Sequence, residues 1–107
     1  MDHTYDEDFV YGTLLALDKR DHPYDVYNLA TGVAPTLAEM ICILKSLEPS
    51  ADISVGPGVY RHNGIWPLPK KGALDSSRAR AAFGYHPKFD LRQGLAAYLD
   101  SYRRSTR

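Results

Sequence analysis

Apolar residues at helical spacing predict a first helix near the start of the chain. Those on its single apolar face are Val10, Leu14 and Leu17. Thr4 or Asp6 can cap this helix, with Glu7 placed to complete a capping box. We expect it to end near residues 18–20.

A second helix is predicted after Pro35. Thr36 and Glu39 have the spacing of a capping box, in which each side chain bonds to the other residue's backbone N–H. The apolar positions that follow at helical spacing are Leu37, Met40, Ile41, Leu44 and Leu47. Pro49 stops this helix.

Two more helices are predicted in the last third of the chain. Asp75 or Ser76 can cap the first of them, and Gly84 can provide its left-handed exit. Asp90 and Gln93 form a second capping box ahead of the last helix. The apolar positions of that helix are Leu91, Leu95, Tyr98, Leu99 and Tyr102.

Between the helices the pattern predicts two short strands. Tyr24–Ala30 is rich in aromatic and β-branched residues, and residues 52–55 form a shorter apolar stretch. Residues 56–73 carry Gly and Pro without periodicity and are predicted to form a long loop, which in compact domains is usually functional or mobile. The fold class expected is therefore α/β, an α+β-like fragment of about four helices and two short strands, in one domain spanning residues 1–107.

The composition of the chain argues against binding to nucleic acid, membranes or metal ions. The 13 basic residues balance the 13 acidic ones, so the chain has no net field to attract nucleic acid or an anionic membrane. It has no apolar run of the roughly 20 residues needed to span a bilayer and no signal peptide, which makes a cytoplasmic protein the expectation. The four histidines show no pair at metal-ligand spacing, so we expect no metal site.

The C-terminal third carries a resemblance to a known family. Its three motifs are Asp75-Ser76-Ser77-Arg78-Ala79, Phe83-Gly84-Tyr85-His86-Pro87 and Leu91-Arg92-Gln93-Gly94-Leu95. In this order they resemble the C-terminal end of nucleotide-sugar epimerases and dehydratases, which are extended short-chain dehydrogenase/reductases. Residues 2–8 and the segment Val26-Tyr27-Asn28-Leu29-Ala30-Thr31-Gly32 resemble earlier motifs of the same family, so the resemblance covers almost the whole chain.

The resemblance implies the C-terminal, substrate-binding portion of an NAD(P)-binding, Rossmann-like epimerase fold. Where the family has an Arg at the start of its first motif, this sequence has Met1. The first residue of the chain thus corresponds to a position inside a structural unit of the family. We therefore expect a truncated form or a degenerated remnant.

Two features of the complete family are missing from the sequence. The eight glycines contain no Gly-x-x-Gly-x-x-Gly turn, on which the family binds NAD(P). None of the eight tyrosines has a lysine four residues later, so the family's Tyr-x-x-x-Lys acid/base pair is absent too. We therefore expect no catalytic residue and no cofactor in this chain.

Two loop residues are candidates for substrate binding. Arg61 lies in Arg-His-Asn-Gly-Ile, which resembles the Arg-x-x-Gly-Asp segment that contacts the nucleotide diphosphate in the family, although Ile65 replaces its Asp. An exposed loop arginine is the alternative interpretation. Trp66 can stack on a nucleobase, or it can anchor the loop against the core.

The resulting hypothesis is the substrate-binding part of an NAD-dependent nucleotide-sugar epimerase or dehydratase, inactive alone. The alternative is a stand-alone, non-enzymatic remnant that acts as an oligomer or partner-binding module. Under either hypothesis the edges of the predicted strand Tyr24–Ala30 lack neighbours, so we expect a homo-oligomer formed through exposed strand edges.

Overall fold

The structure is a computed structural model that describes residues 1–56, 61–62, 64, 66–67 and 71–106. Its helices are α1 (Asp6–Asp18), α2 (Leu37–Leu47), α3 (Ser77–Phe83) and α4 (Leu91–Ser105). Two strands of two residues each, β1 (Arg61–His62) and β2 (Trp66–Pro67), pair in an antiparallel hairpin. The four predicted helices are confirmed.

The prediction of an α/β fold with two short strands is wrong, because the described chain is built of helices apart from the hairpin of two-residue strands. Tyr24–Ala30 and residues 52–55 form no strand in the structure. A strand needs a neighbouring strand for its backbone groups, and Tyr24–Ala30 is instead bonded to the start of α3. The amide of Ala30 donates to the Ser76 hydroxyl at 3.0 Å, and that hydroxyl donates to the Ala30 carbonyl at 3.1 Å.

Local capping explains where three of the four helices begin or end. Thr36 caps α2 and Asp90 caps α4, each in a complete capping box with the residue three positions on. Gly84 ends α3 with a positive φ of 69°, the conformation for which glycine is preferred. The predicted cap of α1 is wrong, since Tyr5 occupies its N-cap position and no side chain bonds there.

The helices pack in two pairs, α1 against α3 and α2 against α4. Between the first pair lies the ring of Tyr85, which is 1% exposed and sits against Gly12 of α1. In the described residues, the fully buried apolar side chains are those of Ala30, Ala79 and Tyr85. The core is therefore small and centred on α1 and α3.

The face of α1 that carries Val10, Leu14 and Leu17 is exposed. The opposite face, with Asp8 and Gly12, is the buried one. Helix α2 likewise has no fully buried residue, although it is the most apolar helix of the sequence. No helix among the described residues is long and apolar enough to cross a membrane.

Candidate functional site

The two predicted substrate-binding residues lie on the hairpin. The register pairs Arg61 with Pro67 and His62 with Trp66, so the backbones of Arg61 and Trp66 are on neighbouring strands. Gly64 has a positive φ of 72° in the turn between the strands, where glycine is favoured. The side chains of Arg61 and Trp66 lie outside the described part of the structure.

Asp2 connects three distant parts of the chain. Its carboxylate accepts hydrogen bonds from the amides of Thr31 at 3.1 Å, Gly32 at 2.8 Å and Leu74 at 3.2 Å, and from the Thr31 hydroxyl. Burial acts most strongly on this group and raises its pKa, but the hydrogen bonds together outweigh that effect and leave the pKa below its usual value. Asp2 therefore stays ionised at neutral pH and holds residues 31–32 beside residue 74.

Asp8 makes a second connection of the same kind. It is 1% exposed, and its two carboxylate oxygens accept from the amides of Lys88 at 2.8 Å and Phe89 at 3.0 Å. The bonded segment leads directly into the cap of α4. Asp8 therefore fixes the start of α4 relative to α1.

Residues 28–30 and the start of α3 are joined by side-chain bonds. Besides the paired bonds between Ser76 and Ala30, the Asn28 side chain donates to the Asp75 carbonyl at 3.2 Å. Together with Asp2 and Asp8, these contacts bring residues 2–8, 26–32 and 75–89 into one continuous unit. Residues 2–8 and 26–32, which resemble the family, are therefore neighbours of residues 75–89, which hold two of the three C-terminal motifs.

A polar depression lies where two of these segments meet. It has a volume of about 340 Å³ and is lined by Val26, Asn28, Asp75, Ser77 and Arg78. The Arg78 guanidinium carbon lies 4.6 Å from the centre of the Tyr24 ring, a cation–π contact. A cation, an amide and a hydroxyl in one depression are groups that can bind the hydroxyls or phosphates of a ligand.

The carboxyl of Asp75 belongs to the same depression. The hydrogen bond from the Ser77 amide, 2.9 Å long, and the nearby Arg80 and Arg78 cations lower its pKa. A carboxylate with a lowered pKa is a hydrogen-bond acceptor at neutral pH and a poor general acid. The Asp75 carboxylate therefore adds a hydrogen-bond acceptor to the residues that line the depression.

Tyr85 combines a buried ring with a shifted pKa. Burial, with the Asp8 and Asp2 carboxylates nearby, raises its pKa. Its buried hydroxyl has no hydrogen-bond partner within the part of the chain that is described.

The helix N-termini do not fit a dinucleotide. A pyrophosphate binds where backbone N–H groups at a helix start are free and no negative charge is near. The first turn of α1 carries Asp6, Glu7 and Asp8, and Asp75 bonds to the first amide of α3. The capping boxes of Thr36 with Glu39 and of Asp90 with Gln93 occupy the starts of α2 and α4. The four helix starts therefore lack the free N–H groups in an uncharged setting that a pyrophosphate requires. No group of three or more potential metal ligands occurs among the described residues.

Comparison with known proteins gives a structural neighbour but no sequence relative. The chain matches no protein-family model and no curated protein sequence. It superposes on UDP-glucose 4-epimerase from the hyperthermophile Thermotoga maritima, solved with UDP-glucose, with a TM-score of 0.73 and 26% sequence identity. The chain is similar to part of an epimerase. The match covers 99% of this chain and 32% of the epimerase, so the chain spans about a third of that enzyme's length.

The likeness to the epimerase supports the family resemblance of the sequence at a coarser level, as an epimerase-related domain. Asp2, Asp8 and Ser76 join the segments that resemble the family. The sequence pattern does not predict these long-range contacts. Asp8 is one of three consecutive acidic residues in the first turn of α1. One available signal was its helical position, because Asp8 and Gly12 lie opposite the apolar face of α1.

Proposed function

We propose that this chain is the nucleotide-sugar-binding, C-terminal portion of an NAD-dependent epimerase or dehydratase. The observation that carries the proposal is the superposition of 99% of the chain on an epimerase solved with UDP-glucose. Complete enzymes of this kind bind NAD(P) elsewhere in their fold, and the four helix starts described above do not fit it. The chain alone is expected to bind substrate without turning it over.

Arg61 is the proposed diphosphate ligand and Trp66 the proposed base-stacking residue. A guanidinium can bond two phosphate oxygens at once, and an aromatic ring provides a flat surface for the uracil or thymine base. The polar depression at Asn28 and Arg78 is the proposed site for the sugar hydroxyls. Its cation, amide and hydroxyl supply the donors and acceptors that a sugar requires.

Isothermal titration with UDP-glucose, dTDP-glucose and NAD tests the proposal. We expect a UDP- or dTDP-sugar to bind and NAD not to bind. Since a charged hydrogen bond contributes about 1.5–3 kcal/mol, Arg61→Ala is expected to weaken sugar-nucleotide binding about tenfold to a hundredfold. Arg104→Ala is the matched control, because Arg104 is an exposed arginine paired within α4 to Asp100. It should bind like the wild type.

A second function is favoured by one specific observation, the exposed apolar face of α1. It is that of a non-enzymatic module which binds another polypeptide or a second copy of itself. Failure of every sugar nucleotide to bind the folded chain would exclude the first proposal and leave this one. If wild type and Arg61→Ala bind a sugar nucleotide equally strongly, Arg61 is not a ligand of the diphosphate.

A further inference from the structure

Arg78 supplies the positive charge among the residues that line the polar depression, and it lies in the first turn of α3. The residue is exposed. A long exposed arginine side chain samples many rotamers unless a contact fixes it, and ordering such a side chain on binding lowers the affinity for a ligand. The contacts that Arg78 makes before a ligand binds therefore affect binding in the depression.

The ring of Tyr24 lies against Arg78. The guanidinium carbon is 4.6 Å from the centre of the ring, within the distance at which cation–π attraction acts. The ion pairs found among the described residues both involve arginines of α4, so no carboxylate there lies within salt-bridge distance of Arg78. In the described part of the chain, the interaction that orients this guanidinium is therefore the one with Tyr24.

A cation–π contact orients an arginine without using its hydrogen-bond donors. The ring attracts the positive charge, and the five N–H groups of the guanidinium stay available for other acceptors. A carboxylate partner in bidentate geometry would instead occupy two of these N–H groups. Arg78 can therefore be held in place and still donate to the oxygens of a ligand in the depression.

Tyr24 is itself held by a cluster of aromatic rings. Its ring meets that of Tyr27 edge-on with the centres 5.9 Å apart, and Tyr27 meets Phe83 of α3 in the same way at 5.0 Å. One ring nitrogen of His22 is hydrogen-bonded to the Tyr27 hydroxyl at 3.0 Å. The other nitrogen donates to the carbonyl of Ala16, 2.9 Å away in the last turn of α1. The cluster therefore connects the end of α1 to the end of α3 and, through Tyr24, to the first turn of α3.

We infer that Tyr24 is a positioning residue for the polar depression and acts by orienting Arg78. The inference rests on the proposed function, because it assigns Tyr24 a role at the site proposed for the sugar hydroxyls. The ring orders the guanidinium before the ligand binds, so less side-chain entropy is lost on binding. The Tyr24 hydroxyl is not needed for this role, since the face of the ring attracts the cation.

Isothermal titration with UDP-glucose and dTDP-glucose measures the effect on binding. Tyr24→Leu is expected to weaken binding about two- to tenfold, because the ligand must then order the Arg78 side chain. Tyr24→Phe keeps the ring and should bind within about twofold of the wild type. Tyr102→Leu is the matched control, since Tyr102 is a 58% exposed tyrosine of α4 that does not line the depression. It should bind like the wild type.

A double mutant shows whether Tyr24 acts through Arg78. In an Arg78→Gln background, Tyr24→Leu should cause no further loss of affinity, because the cation that the ring orients is gone. Equal losses of affinity in the two backgrounds would overturn the inference. Wild-type affinity of the single variant Tyr24→Leu would overturn it as well.

Nuclear magnetic resonance of the ligand-free chain tests the contact separately from the proposed function. Protons that lie over an aromatic ring resonate upfield, so this shift of the Arg78 side chain should be present in the wild type and Tyr24→Phe and absent in Tyr24→Leu. The same spectra show whether each variant is folded. Absence of the shift from the wild type would overturn the inference whether or not a sugar nucleotide binds. A chain that shows the shift but binds no sugar nucleotide would contradict the proposed function, and with it the role of Tyr24 in binding.

Discussion

At the scale of single residues, the structure depends on carboxylates that lie inside it. Asp8 is the clearest example, because a buried carboxylate is stable only when its oxygens are hydrogen-bonded. The amides of Lys88 and Phe89 meet this requirement. From the sequence, Asp8 is one of three consecutive acidic positions. Its helical position sets it opposite the apolar face, but its partners cannot be identified, because they are 80 and 81 residues away.

Replacing Asp8 by Ala is expected to lower the free energy of unfolding by about 2–4 kcal/mol, since two amides lose their acceptors at once. Urea denaturation measures this change. Asp6→Ala, at an exposed position of the same helix, should change stability by only about 0.5 kcal/mol. Equal effects of the two substitutions would contradict the role assigned to Asp8.

Two glycines inside helices give a second residue-scale prediction. A Cβ at Gly12 would lie 2.8 Å from two ring carbons of Tyr85 and 3.0 Å from a methyl group of Leu29, whereas one at Gly94 would lie 3.4 Å from Tyr5. Gly12→Ala is therefore expected to destabilise the protein by about 1–3 kcal/mol despite the better helix propensity of alanine. Gly94→Ala is expected to be close to neutral. Thermal denaturation of the two variants compares them directly, and a stable Gly12→Ala would show that Tyr85 packs differently.

At the scale of elements, local chemistry was a reliable guide to helices and a poor one to strands. Each helix cap depends on residues within one turn, so the sequence alone predicts it. The examples are the capping boxes of Thr36 with Glu39 and of Asp90 with Gln93, and the left-handed Gly84. A strand depends on a neighbour that the local pattern does not contain. Tyr24–Ala30 has the aromatic and β-branched residues of a strand, but the backbone of Ala30 bonds to the Ser76 hydroxyl instead of to another strand.

The cap of α4 provides the prediction at this scale. The Asp90 carboxylate accepts from the Gln93 amide at 2.7 Å, and the Asp90 amide donates to the Gln93 side chain at 2.9 Å. Asp90→Ala is expected to cost about 1 kcal/mol of stability, seen as a lower urea midpoint with an unchanged slope. Asp100→Ala, which removes only an exposed pair with Arg104, should cost about 0.3–0.5 kcal/mol. An Asp90→Ala midpoint equal to that of the wild type would mean that the cap does not stabilise α4.

At the scale of the whole molecule, Asp2 joins the beginning of the chain to residues 31–32 and 74. Its pKa in the folded chain is below the reference value of 3.8. The native state therefore binds fewer protons than the unfolded state near that pH, and the stability from Asp2 is present above pH 3.8 and lost as the pH falls through the folded pKa.

Asp2→Asn should be less stable than the wild type at neutral pH, and the difference should shrink in acid. Chemical denaturation at a series of pH values from neutral to acidic measures it. If the difference in the free energy of unfolding between wild type and Asp2→Asn stays constant over this pH range, the charge of Asp2 does not contribute to stability.

The sequence by itself determined the four helices, three of their boundaries and the resemblance to epimerases, because helix formation, capping and motif order are properties of neighbouring residues. Only the tertiary structure decided which helix faces are buried, that Asp2, Asp8 and Ser76 connect the motifs, and that the predicted strands do not form. Each of these depends on contacts between residues 29 to 81 positions apart. The face of α1 that carries Val10, Leu14 and Leu17 shows the distinction most clearly, because the pattern predicts it as the apolar face of the helix and the fold leaves it exposed.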